Sequence, residues 1–226
     1  MRARSTVIIP TLNEIATIGG IVREFKRLGF PNVLVIDGHS VDGTVEDADA
    51  AGAEVVLQDG KGKGAAIRQA FELVDTDYCV MIDGDGTYSP YEVFKLLNAV
   101  RSKADHVVGT RLCARGAISK LHRIGNYGLN LAFWLRHDIH VTDICSGYRA
   151  FTKDCYKSFD LRADGFEVEA EMTLQTIRNG FSFCEEYVTY VRRYDGSSPK
   201  LKSFADGYRI LRAVLSMPEV ENTKRL

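Results

Sequence analysis

The sequence predicts an α/β fold built on a mainly parallel central sheet with helices on both faces, and three observations predict it. Apolar, β-branched runs of about four to six residues alternate with amphipathic stretches of about ten or more, the signature of successive βαβ units. The polar and acidic residues of the first half gather just past the apolar runs, where ligands bind in open α/β sheets. The chain has 226 residues, 45% hydrophobic and 26% charged, which is enough for one such domain without cross-links. A single domain over 1–226 is expected, with a C-terminal helix and charged tail from about residue 203.

The elements follow in order. Ser5 to Ile9 reads as a buried strand ended by Pro10. Asn13 or Thr17 can cap a helix that puts Ile18, Ile21, Val22, Phe25 and Leu28 on one face. Val33 to Ile36 is the second strand, closing on Asp37-Gly38, and Asp42-Gly43-Thr44 opens a helix through Ala51. Glu54 to Leu57 is the third strand, followed by Gly60-Lys61-Gly62-Lys63-Gly64 and a helix from about Ala65 to Val74. Tyr78 to Ile82 is a wholly apolar fourth strand that runs into Asp83-Gly84-Asp85-Gly86. The second half is less regular. A helix over Pro90 to Val100 and a strand over His106 to Gly109 precede a basic loop, Arg111 to Arg123, and an apolar helix near Tyr127 to Leu135. Cys145 to Phe151 reads as a strand, Glu167 to Arg178 as a helix and Phe183 to Val191 as a strand. A loop from Arg192 to Lys200 then leads to a helix over Ala205 to Leu215.

Composition excludes several classes. Twenty-nine basic against 30 acidic residues leave a net charge of −1, so no nucleic acid partner is expected. The five cysteines, Cys79, Cys113, Cys145, Cys155 and Cys184, have no zinc or disulfide spacing, which fits a reducing cytoplasm. No apolar run reaches the roughly 18 residues of a membrane span, and no signal peptide is visible.

Asp83 and Asp85 stand at i and i+2 past an apolar strand, separated by glycine. Two carboxylates so placed can converge on a hard cation, Mg2+ or Mn2+, that keeps positions open for phosphate oxygens; an ordinary Asp-Gly turn is the competing reading. Asp37 ends the second strand, where a carboxylate can meet a base or ribose, whereas Asp42 is better read as a helix cap. Lys61-Gly62-Lys63-Gly64 combines two cations, glycine backbone and a helix N-terminus, a setting that suits an anion. Arg111, Arg115, Lys120, His122 and Arg123 concentrate positive charge beside Leu129, Leu131, Phe133 and Trp134. Guanidinium groups can grip a phosphate there while the apolar stretch touches lipid, or the helix can simply be core.

Pro10-Thr11-Leu12-Asn13-Glu14, Asp37, Lys61-Gly62-Lys63-Gly64-Ala65, Asp83-Gly84-Asp85, Asp143-Ile144-Cys145-Ser146-Gly147-Tyr148-Arg149 and the late Gly196-Ser197-Ser198-Pro199-Lys200-Leu201 occur in one order. That series resembles family 2 glycosyltransferases of the GT-A fold, and within them the dolichyl- or polyprenyl-phosphate glycosyltransferases, over roughly Val7 to Leu201. The resemblance implies that Pro10, Leu12, Glu14, Asp37, Lys63, Asp83, Gly84, Arg193 and Lys200 bind a nucleotide sugar donor. It implies that Asp83 and Asp85 hold the metal, with Asp85 the direct ligand. Arg111 and Arg123 would grip the acceptor phosphate, with Ser146 and Arg149 nearby. Three departures stand out: Thr87 where the family often has Gln, an acidic Phe166-Glu167-Val168-Glu169-Ala170-Glu171 where mannosyl enzymes often carry Lys, and the extra Pro199. The expectation is metal-dependent, inverting sugar transfer from a UDP- or GDP-sugar to dolichyl or polyprenyl phosphate. The protein would work at the cytoplasmic face of a membrane, docked peripherally through the Phe133-Trp134 stretch or the Phe204 to Leu215 helix. Transfer to a soluble acceptor and nucleotide-sugar binding without turnover are the alternatives.

Overall fold

The structure is a computed structural model and describes residues 1–111, 120–193 and 203–217. Seven strands form one sheet: β1 (Ser5–Thr11), β2 (Asn32–Asp37), β3 (Glu54–Leu57), β4 (Tyr78–Met81), β5 (His106–Thr110), β6 (Arg149–Thr152) and β7 (Phe183–Tyr187), in the spatial order β3-β2-β1-β4-β6-β5-β7. All neighbours pair in parallel except at β6, which runs antiparallel to both β4 and β5. The sheet is therefore the mostly parallel one expected, with one reversed strand that apolar content alone does not distinguish.

Strand alternation divides the core cleanly. Val7, Ile9, Val33, Val35, Val80 and Ile82 face one layer, where they meet α1 (Ile18–Arg27) and α4 (Val93–Ser102). Ile8, Leu34, Ile36, Cys79 and Met81 face the other, against α3 (Lys63–Leu73), the short α6 (Lys153–Lys157) and α7 (Val168–Arg178). A third cluster, including Phe133, Ile144, Leu174, Ile210 and Val214, joins α7 to α5 (Lys120–His137) and α8 (Ser203–Ser216). The remaining helix, α2 (Thr44–Ala50), packs on α1 and β3.

Several boundaries move for identifiable reasons. β1 continues through Pro10 to Thr11, because the Thr11 carbonyl faces β2 and accepts from Gly38 N at 2.8 Å. Pro10, one residue earlier, faces the β4 side, where pairing has already ended at Met81 opposite Ile8, so its missing N–H costs no ladder bond. The strand expected over Cys145 to Phe151 shrinks to β6, since Ile144 to Tyr148 is occupied in building a loop against β4. α5 begins earlier than the apolar pattern suggests, so Arg123 lies on a helix and not in a loop. α6 has no counterpart in the sequence reading.

Candidate active site

The carboxyl ends of β1, β2 and β4 open on one edge of the sheet, and the acidic residues converge there. Asp83 and Asp85 follow β4. Their loop is tied down by Thr17, whose hydroxyl donates to the Gly84 carbonyl at 2.6 Å, and by Thr87, whose amide and hydroxyl donate to Asp85 Oδ1 at 3.1 and 2.6 Å. Gly147 lies against the Asp83 carboxylate so closely that a Cβ there would strike it, which explains a glycine in the loop before β6.

Each aspartate meets a cation that a second, more deeply placed carboxylate also holds. Lys63 Nζ lies 2.6 Å from Asp83 Oδ1 and 2.6 Å from Glu169 Oε1. Arg193 Nη1 is 3.7 Å from Asp85 Oδ2, and its Nη2 binds Glu14. The outer members keep solvent contact, 26% for Asp83 and 17% for Asp85, whereas Glu169 and Glu14 retain 2% and 6%. Burial alone would push the Lys63 ammonium down, but Asp83 and Glu169 outweigh it and hold it well above the ordinary lysine range. Burial pushes the Glu169 carboxyl up, with Lys63 opposing.

The lysine- and glycine-rich run is corrected in one respect. Its glycines do not open the backbone to an anion: a Cβ at Gly62 or Gly64 would strike the Asp164 or Ala163 carbonyl, and Gly64 N donates to Asp164 O at 2.9 Å. The glycines let α3 dock on the 163–164 loop, and only Lys63 reaches the site. Asp37 is also placed differently from its reading. It is fully buried, with Ser40 N and Oγ at 2.7 and 2.6 Å and Thr11 Oγ1 at 2.9 Å donating to its oxygens, so it shapes the turn after β2. Pro10 is half-buried and Leu12 exposed at the same edge. Asp42, one residue before the Gly43 N-cap of α2, accepts from Thr44 N and Oγ1 in the turn that opens the helix.

On the far side, Arg111 after β5 makes a two-pronged pair with Asp143, Nε to Oδ2 at 2.7 Å and Nη2 to Oδ1 at 2.6 Å, and its guanidinium stacks over Tyr190 at 5.3 Å. Asn126 of α5 donates to Asp143 as well, at 3.0 Å, and Glu185 of β7 holds the Thr142 and Asp143 amides. Arg123 is exposed and stands three residues before Asn126, hence on the helix face turned toward Asp143 and Arg111. Ser146 and Arg149 are corrected. Ser146 is buried, donating to the Gly109 carbonyl at 2.5 Å. Arg149 is wholly enclosed and spends its guanidinium on the Ser146 and Ile144 carbonyls, Thr173 Oγ1 and His106 Nε2. A phosphate cannot reach either without unfolding this network; both shape the loop that carries Asp143. Lys200 lies outside the described residues.

Sequence reasoning missed Glu169, Asn126 and the role of Asp143. The acidic run gave a signal for Glu169, but only the fold separates its members. Glu169 turns to Lys63, while Glu171 accepts from Arg162 N and Ala163 N and Glu167 from Gly165 N.

Fold and edge together define a GT-A glycosyltransferase: a mostly parallel sheet with paired aspartates beyond β4, cations facing them and an arginine–aspartate pair beyond β5. The chain belongs to the family described as Glycosyl transferase family 2, whose profile matches residues 6–159. It is 42% identical over 204 residues to Glycosyltransferase AglJ of Haloferax volcanii, a match that takes in 89% of this chain and 67% of that protein. It is 32% identical to the Undecaprenyl-phosphate mannosyltransferase of Micrococcus luteus, over 86% of each chain. Among solved structures, glucosyl-3-phosphoglycerate synthase of Mycobacterium tuberculosis with Mn2+, UDP-glucose and phosphoglyceric acid shares the fold. The TM-score is 0.75, with 22% identity over 94% of this chain and 78% of that one.

Proposed function

We propose that the chain transfers a sugar from a UDP- or GDP-linked donor to dolichyl or polyprenyl phosphate, with a divalent cation held by Asp83 and Asp85. The observation that carries the proposal is the pair of partly exposed aspartates just past β4, each facing a cation that a buried carboxylate also holds. Two carboxylate oxygen sets fit Mg2+ or Mn2+, which takes few protein ligands and leaves the rest to phosphate and water. When bound, the ion would neutralise charge developing on the departing diphosphate.

The chain's own groups supply the rest. Lys63 and Arg193 can donate to diphosphate oxygens, while Pro10, Leu12, Glu14, Asp37 and Gly84 line and shape the nucleotide end. The nucleophile is a phosphate monoester with a second pKa of about 6, so it is already largely ionised near neutral pH and needs no general base. Arg111 is suited to orient it, because Asp143 fixes the guanidinium plane and offsets part of its charge. Arg123 adds a second contact. In-line attack on the anomeric carbon inverts its configuration.

The lipid tail needs an apolar surface beside that cleft, and α5 supports one. Ile124, Tyr127, Leu131, Trp134 and Leu135 form an outward stripe, each 37–72% exposed, on a helix with no acidic residue from Lys120 to His137. Phe133, expected on that surface, is instead fully buried in the third core cluster. No helix of the described residues is long and apolar enough to cross a membrane; the exposed apolar stripe and the absence of acidic residues on α5 suit the surface of an anionic bilayer.

The test is radiolabelled transfer with UDP- and GDP-sugars, offering undecaprenyl phosphate against 3-phosphoglycerate. Label in the organic phase supports the proposal, and label on the soluble acceptor alone overturns it. Flotation with anionic vesicles should carry the protein upward and lose it in Leu135→Glu; flotation unaffected by that change would remove α5 from the interface.

A further inference from the structure

The Asp83–Lys63–Glu169 chain is asymmetric in a way that simple scaffolding does not require. Lys63 Nζ bonds equally short to both carboxylates, but Asp83 keeps 26% of its side chain in solvent and Glu169 only 2%. Among the described residues Glu169 Oε2 is buried with no hydrogen-bond partner, so the one hydrogen bond its carboxylate receives there comes from Lys63. Releasing Lys63 from Glu169 would strand a buried charge, whereas releasing it from Asp83 exposes an oxygen that water or a cation can take. The Phe166 ring, its centroid 5.7 Å from Nζ, further covers the ammonium. Arg193 repeats the order more loosely, with buried Glu14 behind it and Asp85 in front at 3.7 Å.

We infer that Lys63 is a resident counter-charge on Asp83, anchored by Glu169, which couples entry of the metal to arrival of the donor. Without a diphosphate the ammonium occupies the carboxylate that a cation needs, so metal binds weakly. A donor diphosphate gives Lys63 a second anion within reach while Glu169 keeps its anchor, and Asp83 becomes available. Metal and diphosphate then bind with positive coupling, reciprocal by linkage. Glu169 is in this sense a positioning residue: it touches neither metal nor donor but decides which partner Lys63 can abandon. The inference rests on the metal and donor reading proposed above.

The test measures Mn2+ binding by electron paramagnetic resonance, with Mn2+ alone and with UDP or GDP added. Corrections are made for nucleotide–Mn2+ complexes in solution. The proteins are the natural chain, Lys63→Met, Glu169→Gln and the double variant. The natural chain should bind Mn2+ weakly alone and roughly tenfold or more tightly with nucleotide, within the ordinary span of coupling between sites. Lys63→Met should bind Mn2+ alone about tenfold more tightly than the natural chain and lose most of the coupling. Glu169→Gln should move the other way, because Asp83 is then the lysine's only anionic partner. The double variant should follow Lys63→Met, and it carries the test if the buried Glu169 prevents the single variant from folding. A merely structural tie would loosen Mn2+ binding in all variants, and that result, or unchanged affinity in Lys63→Met and the double variant, overturns the inference. If Mn2+ binds and Asp85→Ala abolishes it while the lysine variants are silent, the inference alone fails. If the natural chain binds no Mn2+ with either nucleotide, the metal reading fails and takes the inference with it.

Discussion

Asp83 stands two residues past Met81, which pairs with Arg149 where β4 meets β6, yet the two sides of this junction handle charge in opposite ways. On the aspartate side the ion pairs are half-open. Asp83 and Asp85 face cations across short distances but keep contact with solvent, and each cation has a second carboxylate behind it. On the arginine side the network is sealed, and Arg149, wholly buried, donates to two carbonyls, a threonine and a histidine. The difference teaches where binding energy can come from. An open pair exchanges partners at modest cost, so its charges are available to substrate. A closed one holds a loop in place, here the loop carrying Asp143, and through it Arg111.

The sharpest way to break the comparison is Arg149→Met. Two buried carbonyls would lose their donor, and the account expects a loss of about 3–5 kcal/mol in folding stability. Urea denaturation measures it; a loss well under 1 kcal/mol would mean the network is not sealed. Asp85→Asn should do the reverse, keeping an oxygen for the Thr87 donors and so leaving the urea midpoint nearly unchanged, while cutting sugar transfer at least roughly a hundredfold, as removal of one preorganised electrostatic contact commonly does. Arg123→Ala lies on the open side too. Its expected effect is an increase of about tenfold in KM for the polyprenyl phosphate with the donor KM unmoved, the size of one lost charge-assisted contact. Equal change in both constants would place Arg123 elsewhere than at the acceptor.

His106 sharpens the comparison through pH. Burial, with Arg149 beside it, holds its imidazole well below the usual histidine range. Its Nε2 accepts from Arg149 while Nδ1 faces Thr176 Oγ1 at 2.8 Å, an arrangement assigned from the bonding network that requires the neutral ring. In the unfolded chain the ring takes a proton near pH 6.5 and in the folded chain it does not. Stability is therefore fully present above that value and falls as pH drops below it, by up to about 1.4 kcal/mol per unit. His106→Gln keeps the two hydrogen bonds and removes the titration, so stability in the natural chain should fall away from that of the variant below pH 6.5. Glu169 and Glu185, displaced upward, shift stability the other way, but equally in both proteins. Parallel curves for the two proteins would contradict a neutral buried His106.

What was legible in the sequence follows the same division. The strands of the first half, the helix faces and the position of Asp83 and Asp85 could be read because alternation and strand ends are local signals. The reversed β6 could not, since Ala150 and Phe151 look alike in either direction and only the pairing with β4 and β5 sets it. Arg149 and Ser146 were legible as a motif but not as buried, because their partners, His106 and Thr173 for Arg149 and Gly109 for Ser146, come from distant β5 and α7. The glycines around Lys63 invited an anion for the same reason: the loop they pack against lies about a hundred residues away. Glu169 stood in view within an acidic run, and only helix phase and the reach of Lys63 single it out.

Everything in the donor half depends on Asp83 and Asp85 sharing one ion with a diphosphate. Crystals soaked with Mn2+ and either UDP or GDP, measured at the manganese absorption edge, test this directly. The account predicts one anomalous peak within coordination distance of Asp83, Asp85 and the nucleotide's diphosphate, with Lys63 still on Glu169. A bound nucleotide with no peak beside either aspartate would contradict it.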